Sequence, residues 1–220
     1  MIEKENILDF DRLQRLGMVE AVWGEHKSCE QIEAILKRFE SSSQLALVTR
    51  IAKEKALILK DVFEKAEYHS QASCLTLGEP ISSQDSLGEV LVISGGTSDL
   101  GVASEAALSL KMHGVKTELL IDIGVAGLHR LLERLEKLQK AKVLIVCAGM
   151  EGSLPTVIAG LMPQPVIGVP VSVGYGVSSG GNAALQGMLA SCSPGLSVVN
   201  IDNGYGAAMA ALRIIKSSTR

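Results

Sequence analysis

EVLVISGGTSDLGVASEAALSLKMHG, residues 89–114, is the stretch whose reading decides the fold. It opens with an apolar run of strand length, which Gly95 and Gly96 end, and Ser98–Gly114 then continues as a helical segment. The same unit recurs to the end of the chain. KTELLIDIG (116–124), KVLIVCAG (142–149), PVIGVPVS (165–172) and LSVVNIDN (196–203) are further strand-length runs. Helical segments separate or follow them: AGLHRLLERLEKLQKA (126–141), SLPTVIAGLM (153–162), GGNAALQGMLAS (180–191) and YGAAMAALRIIKSS (205–218). Repeated β-α units of this spacing predict an α/β fold, a five-unit parallel sheet with helices on both faces, over residues 89–220.

Ahead of that repeat, residues 1–80 read as a small mixed α/β module. Residues 3–16 are predicted helical, and EAVWGE (20–25), LALVTR (45–50) and ASCLTLG (72–78) are predicted strands. Ser28 is the expected N-cap of CEQIEAILKRFES, whose Ile32, Ile35, Leu36 and Phe39 share one face. KEKALILKDVFEKA is a second helix, and the turn-rich GEPISSQDSLGE (78–89) marks the boundary.

The bulk composition agrees. The 220 residues are 47% hydrophobic but only 3% aromatic, so the core is built from Val, Ile, Leu and Ala, a composition suited to a sheet buried on both faces. A net charge of −3 gives no electrostatic reason to expect nucleic acid or an anionic membrane. No run approaches the ~18 apolar residues that cross a bilayer. MIEKENILDFDRLQR lacks a signal-peptide pattern, and the four cysteines form no CxxC pair, so a cytoplasmic protein without a disulfide framework or zinc site is expected.

Ligands of open α/β sheets bind beyond the carboxyl ends of the strands. The loops there are GGTSD (95–99), DIGVAG (122–127), AGMEGS (148–153), SVGYGVSSGG (172–181) and NIDNGYG (200–206), each combining glycine with polar groups. One such loop is good turn chemistry; together they describe a polar pocket with accessible backbone. Gly96, Thr97 and Ser98 suit a phosphate at a helix start, while Asp99 suits a ribose hydroxyl or an N-cap. The spacing matches neither a Walker loop nor G-x-G-x-x-G. Asp122, Gly124, His129, Met150, Gly152, Ser153, Gly174, Tyr175, Gly176, Asn200, Asp202 and Asn203 complete the candidate pocket. Arg50, after a strand of the small module, suits a phosphate or carboxylate and equally a surface salt bridge.

Glu151 follows an apolar strand; a partly desolvated carboxylate there is a candidate acid or base, and a solvated loop glutamate is the plain alternative. Cys147, Cys29 and Cys74 read as core, Trp23 and Tyr68 as packing, and His26, His69 and His113 as surface. Cys192 differs: it sits in ASCSPG, where a helix ends and a turn begins. The negative end of a helix does not favour a thiolate, and topology puts this turn at the amino edge of the sheet. A thiol there reaches the pocket only if a neighbouring subunit supplies it.

GGTSDL, DIGVAGLHRLL, VCAGMEGSLPTVIAGL, PVIGVPVSVGYG, GGNAALQGMLASC and VVNIDNGYGA resemble the LarB family of nickel-pincer cofactor biosynthesis proteins. DRLQRLGMVEAVWGEHKSCEQI and LALVTR extend the resemblance over nearly the whole chain. Residues 89–220 are more distantly similar to the aminoimidazole ribonucleotide carboxylases and mutases of purine synthesis. The resemblance implies a PurE-like, flavodoxin-like three-layer sandwich assembled as a homo-octamer. It implies a carboxylase and hydrolase acting on nicotinic acid adenine dinucleotide with CO2 or bicarbonate as co-substrate, room for Mg²⁺ in pyrophosphate cleavage, unknown metal ligands and no bound nickel. The family cysteine falls on Cys192 and the family glutamate on Glu151. Gly101 departs from the usual proline without removing a functional group. The histidine-bearing Ser-Ala-His-Arg loop of the purine enzymes has no counterpart, and their second histidine falls on Ser153, which argues against an aminoimidazole substrate. A purine-pathway enzyme and a non-catalytic module binding pyridine dinucleotides are the other readings.

Overall fold

A computed structural model describes residues 8–83 and 85–218. They divide into two compact units, one holding the described residues up to Ser82 with Met112–Gly114, the other Ser83–Lys111 and the chain from Val115 onward.

The first unit contains α1 (Arg12–Leu16), β1 (Ala21–Trp23), α2 (Cys29–Ser41), β2 (Ala46–Thr49), α3 (Lys53–Val62), β3 (Ala66–His69) and β4 (Cys74–Leu77). Its sheet runs β1-β2-β4-β3, parallel between β1 and β2 and antiparallel elsewhere. Ser28 caps α2 as expected, in a capping box with Gln31, and Ile32, Ile35, Leu36 and Phe39 are buried together. The predicted helix at 3–16 is found only as Arg12–Leu16; positions 3–7 lie outside the described residues. The helix expected to run through Ala66 stops at Val62, where Phe63 turns extended and buries its ring. Ala66–His69 then pairs with β4 as a hairpin, a strand too short for its alternation to show in the sequence. His113 is not a surface residue: it is 1% exposed, and its Nε2 accepts a bond from the Val19 backbone N–H.

The second unit carries β5 (Glu89–Ser94), α4 (Leu100–Met112), β6 (Lys116–Leu120), α5 (Leu128–Leu132), α6 (Leu135–Leu138), β7 (Val143–Ala148), α7 (Leu154–Leu161), β8 (Val166–Pro170), α8 (Asn182–Leu189), β9 (Leu196–Val198) and α9 (Gly204–Ser217). All the strands of its five-stranded sheet are parallel, in the order β6-β5-β7-β8-β9. The first strand thus lies between the second and third, and the connections leave β5 and β7 in opposite directions. That divergence opens a crevice at their carboxyl ends. Leu91, Ile93, Leu144 and Val146 pack with Leu131, Leu138, Leu154 and Ile158 on one face. The helix expected over 126–141 is instead a short 3-10 turn followed by α5 and α6. Among the described residues no helix is long and apolar enough to cross a membrane.

Candidate active site

The crevice between β5 and β7 holds a cavity of about 480 Å³. Its floor is backbone: Gly95 and Gly96 after β5, Gly124 after β6, Gly149 after β7 and Gly174 after β8. Four of the predicted polar loops therefore meet at one place.

Asp99 ties two of them together. It is 6% exposed, and its two carboxylate oxygens accept from the Gly96 N–H at 2.7 Å and the Gly149 N–H at 3.0 Å. The first bond closes the turn that opens α4; the second crosses from the β5 loop to the β7 loop. Burial raises the carboxyl's pKa, the two backbone bonds oppose this, and the Asp202 carboxylate adds to the rise. Gly96 holds the N-cap position expected for Asp99; Asp99 sits three residues further on and accepts from the Gly96 N–H, which is thereby taken rather than offered to a phosphate.

Glu151 stands in the wall of the same cavity, between Met150, in the left-handed region at φ 51°, and Gly152 at φ 66°. Its Oε1 accepts from the Ser153 hydroxyl at 2.5 Å. The carboxylate is exposed, so the desolvation expected from its apolar neighbours is not provided by this chain alone. Helix α8 fixes the loop from behind. A Cβ on Gly187 would come within 2.5 Å of the Glu151 carbonyl oxygen, and one on Gly152 within 2.7 Å of the Ala184 carbonyl oxygen. Glycine at both positions lets the helix and the loop touch backbone to backbone.

The cavity wall gathers Gly96, Ser98, Asp99, Gly124, Met150, Glu151, Ser153, Gly174 and Tyr175 from the expected set, and among the described residues no histidine joins them. Tyr175 is 78% exposed at its mouth. The remaining candidates are placed differently. Thr97 and His129 are exposed off the wall, and Asp122, left-handed at φ 58°, pairs with Arg130. Gly176 is an open left-handed turn residue. Asn200 accepts from the Ile201 N–H, Asp202 from the Ser172 N–H, and Asn203 from the Gly206 N–H as the cap of α9. Side-chain oxygens of the fifth loop thus accept from its own backbone and from that of Ser172. Arg50 belongs to the first unit. The wall also contains Val125, Ala126, Leu154 and Val173, apolar groups that the polar-loop reading passed over.

Cys192 is exposed and free, and it is not in the cavity wall. Its turn lies along α7: the Ser193 hydroxyl donates to the Thr156 carbonyl at 2.9 Å, and Leu196 pairs with Val166 at the start of β8. Cys147 is fully buried, with its thiol pKa pushed up by burial and by the nearby Asp99, Glu105 and Asp202 carboxylates, so it is no nucleophile. Among the described residues no three His, Cys, Asp or Glu side chains cluster as a metal site.

An open parallel sheet with a glycine-floored cavity at its switch point, walled by Asp99, Glu151, hydroxyl groups and apolar side chains, has the form of an α/β small-molecule site. The family model of AIR carboxylase matches residues 89–220, and that of the LarB/PurE-like N-terminal domain matches residues 5–79. The chain belongs to the AIR carboxylase family, whose members are carboxylases and mutases, and carries a LarB/PurE-like N-terminal domain. An uncharacterized protein of Methanocaldococcus jannaschii is 40% identical over 225 residues, covering 98% of this chain and 86% of its own length. The N5-carboxyaminoimidazole ribonucleotide mutase of the same organism is 39% identical over 136 residues, covering 57% of this chain and 78% of its own. The crystal structure of Treponema denticola PurE has 22% identity and a TM-score of 0.49, covering 60% of this chain and 86% of that one.

Proposed function

We propose that this protein carboxylates the pyridinium ring of nicotinic acid adenine dinucleotide and cleaves its pyrophosphate, releasing a pyridinium dicarboxylate mononucleotide and AMP. This is the opening step of nickel-pincer cofactor synthesis, and nickel itself has no part in it. The observation that carries the reading is the cavity wall. Where the second histidine of the purine enzymes falls, this wall offers Ser153, bonded to Glu151 and beside apolar groups, a setting for a flat cationic ring.

The ring is electron-poor and does not attack CO2 unaided. The Cys192 thiolate adds to the carbon para to nitrogen; the carbon–sulfur bond forms and the ring π electrons move onto nitrogen. The adjacent meta carbon is now enamine-like and forms a bond to CO2. Glu151 takes the proton from that carbon, and the returning electrons expel the thiolate and restore the aromatic cation. Ser153, donating to Glu151 Oε1, holds the base in place. The bound ring covers an otherwise exposed Glu151 and excludes water from the proton transfer. Before addition its positive charge also stabilises the thiolate, which the helix end does not.

The exposure of Cys192 and its absence from the wall support a site completed by a second copy, within a homo-oligomer and, by resemblance, an octamer. Mg²⁺ is commonly held by one or two carboxylates and the substrate's own phosphates. With no preformed ligand cluster among the described residues, no residue is assigned to it.

The test supplies the dinucleotide, carbon-13 bicarbonate and Mg²⁺. AMP and a mononucleotide heavier by one labelled carboxyl group are expected from wild type and not from Cys192→Ala. Turnover of an aminoimidazole ribonucleotide instead would establish the purine-pathway alternative.

A further inference from the structure

From Gly152 to Ile201 the chain has no Asp, Glu, Lys, Arg or His, although a fifth of its residues are charged overall. That stretch folds as α7, β8, α8 and β9, one flank of the five-stranded sheet. β9 is an edge strand, and edges that face water are ordinarily guarded by charge. Leu161, Val173, Tyr175, Val177 and Leu189 are exposed on the same flank. Exposed apolar groups with no charge among them mark a surface that another chain covers.

Two features of this flank are complementary. Among the described residues Val177, 94% exposed, and Tyr175 are the most exposed of the large apolar side chains, and both stand on the loop between β8 and α8. The foot of that loop is fixed. The Ser172 N–H donates to Asp202 at 2.8 Å, and the N–H of the buried Ser178 donates to the Tyr175 carbonyl at 3.0 Å. The loop therefore presents a preformed apolar knob. At the other end of β8 is a cavity of about 290 Å³, walled by Met162, Pro163, Pro165, Val166 and Pro194. Proline has no N–H to leave unsatisfied when water is expelled, so such a groove accepts an apolar group at low cost. Pro194 belongs to the same turn as Cys192, and Ser193 ties that turn to α7.

We propose that the Tyr175–Val177 knob of one copy seats in the proline-walled groove of a second copy, head to tail, bringing that copy's Cys192 to the cavity mouth where Tyr175 stands. β8 holds knob and groove about 16 Å apart, at roughly 3.3 Å per residue, so they do not meet within one chain. A knob at one edge and a groove at the other make a heterologous contact, which repeats around a ring instead of pairing across a two-fold axis. A second copy is the occupant because both halves of the contact, each without charge, lie on this one chain. The delivery of Cys192 rests on the catalytic reading above; the docking rests on the uncharged flank, the knob and the groove.

Cross-linking of the full-length protein reads the contact without turnover. In a Cys192→Ser background, Val177→Cys alone and Pro163→Cys alone should each run as monomers on a non-reducing gel after mild oxidation. Their mixture, after subunit exchange, should give a disulfide-linked dimer, and both substitutions in one chain should give a ladder that ends in a closed ring. Separately, Val177→Glu should raise the concentration at which the assembly dissociates by at least about tenfold in light scattering, since it buries an unpaired charge, while circular dichroism stays that of wild type. A dimer from Val177→Cys alone would show a two-fold contact, and no dimer from the mixture, with exchange shown by mass spectrometry, would show that knob and groove do not meet. Either result, a monomeric wild type, or an assembly indifferent to Val177→Glu would overturn the proposal. Cross-linking in a protein that carboxylates nothing keeps the docking and loses the catalytic reading. Carboxylation that depends on Cys192, without cross-linking, keeps the catalytic reading and loses the docking.

Discussion

Replacing Asp99 by asparagine tests how the site is built. The substitution keeps the volume and one oxygen, but it turns an NH2 toward one of the two backbone donors that the carboxylate satisfies, Gly96 N–H or Gly149 N–H. A buried N–H left without an acceptor costs about 1–3 kcal/mol, partly offset here because the buried charge is removed too. Urea unfolding should therefore place Asp99→Asn about 1–3 kcal/mol below wild type, with Asp99→Ala lower still because both donors lose their partner. The pH dependence gives an independent reading. Burial, and then the Asp202 carboxylate, raise the Asp99 pKa in the folded protein against the two hydrogen bonds. A group raised on folding contributes stability that is complete below its unfolded value and is lost as pH rises through the folded one. The gap between wild type and the asparagine variant should accordingly be widest below the ordinary carboxylate range, under about pH 4, and narrow toward neutrality. A gap that is flat or widens with pH, or an asparagine variant as stable as wild type, would refute the account of Asp99 as a buried clasp between two loops.

Other outcomes follow from the same site. Cys192→Ala should unfold within about 0.5 kcal/mol of wild type, since the thiol is exposed in a turn, while carboxylation is abolished; denaturant midpoints and product mass spectra check both halves. Mixing Cys192→Ala with Glu151→Gln, each inactive alone, should restore part of the activity after subunit exchange, because one of the two kinds of hybrid pocket then combines an intact thiol with an intact carboxylate. Mixtures that stay inactive despite exchange shown by mass spectrometry would place both groups on one chain. Gly187→Ala sets a Cβ 2.5 Å from the Glu151 carbonyl oxygen, so the loop must shift. The expected cost is about 1–3 kcal/mol of stability, with a fall in kcat larger than any change in KM.

The sheet was legible because its strands are continuous apolar runs, each followed by glycine and a helix. The loops at its carboxyl edge were legible for the same reason, and Glu151 and Ser153 do share a wall. Less visible was what each polar group does once folded. Asn200, Asp202 and Asn203 looked like ligand contacts, yet their side chains bond to backbone N–H groups, a use that composition does not distinguish from ligand binding. The reach of Asp99 to Gly149 spans a separation of 50 positions and leaves no local trace. Glu151 follows apolar residues in sequence, but sequence neighbours do not cover a side chain at the end of a loop. Trp23 and His113 exchanged their expected places, one exposed and the other buried, because the alternation of a three-residue strand is too short to read and a histidine after a helix carries no periodicity.

The most direct measurement is a crystal soaked with oxidised nicotinic acid adenine dinucleotide while CO2 is excluded. The account predicts the pyridine ring in the cavity beside Glu151, with continuous density from the ring carbon para to nitrogen to Cys192 Sγ of an adjoining copy. A ring seated beside Glu151 with every Cys192 sulfur in the assembly beyond bonding reach would contradict it.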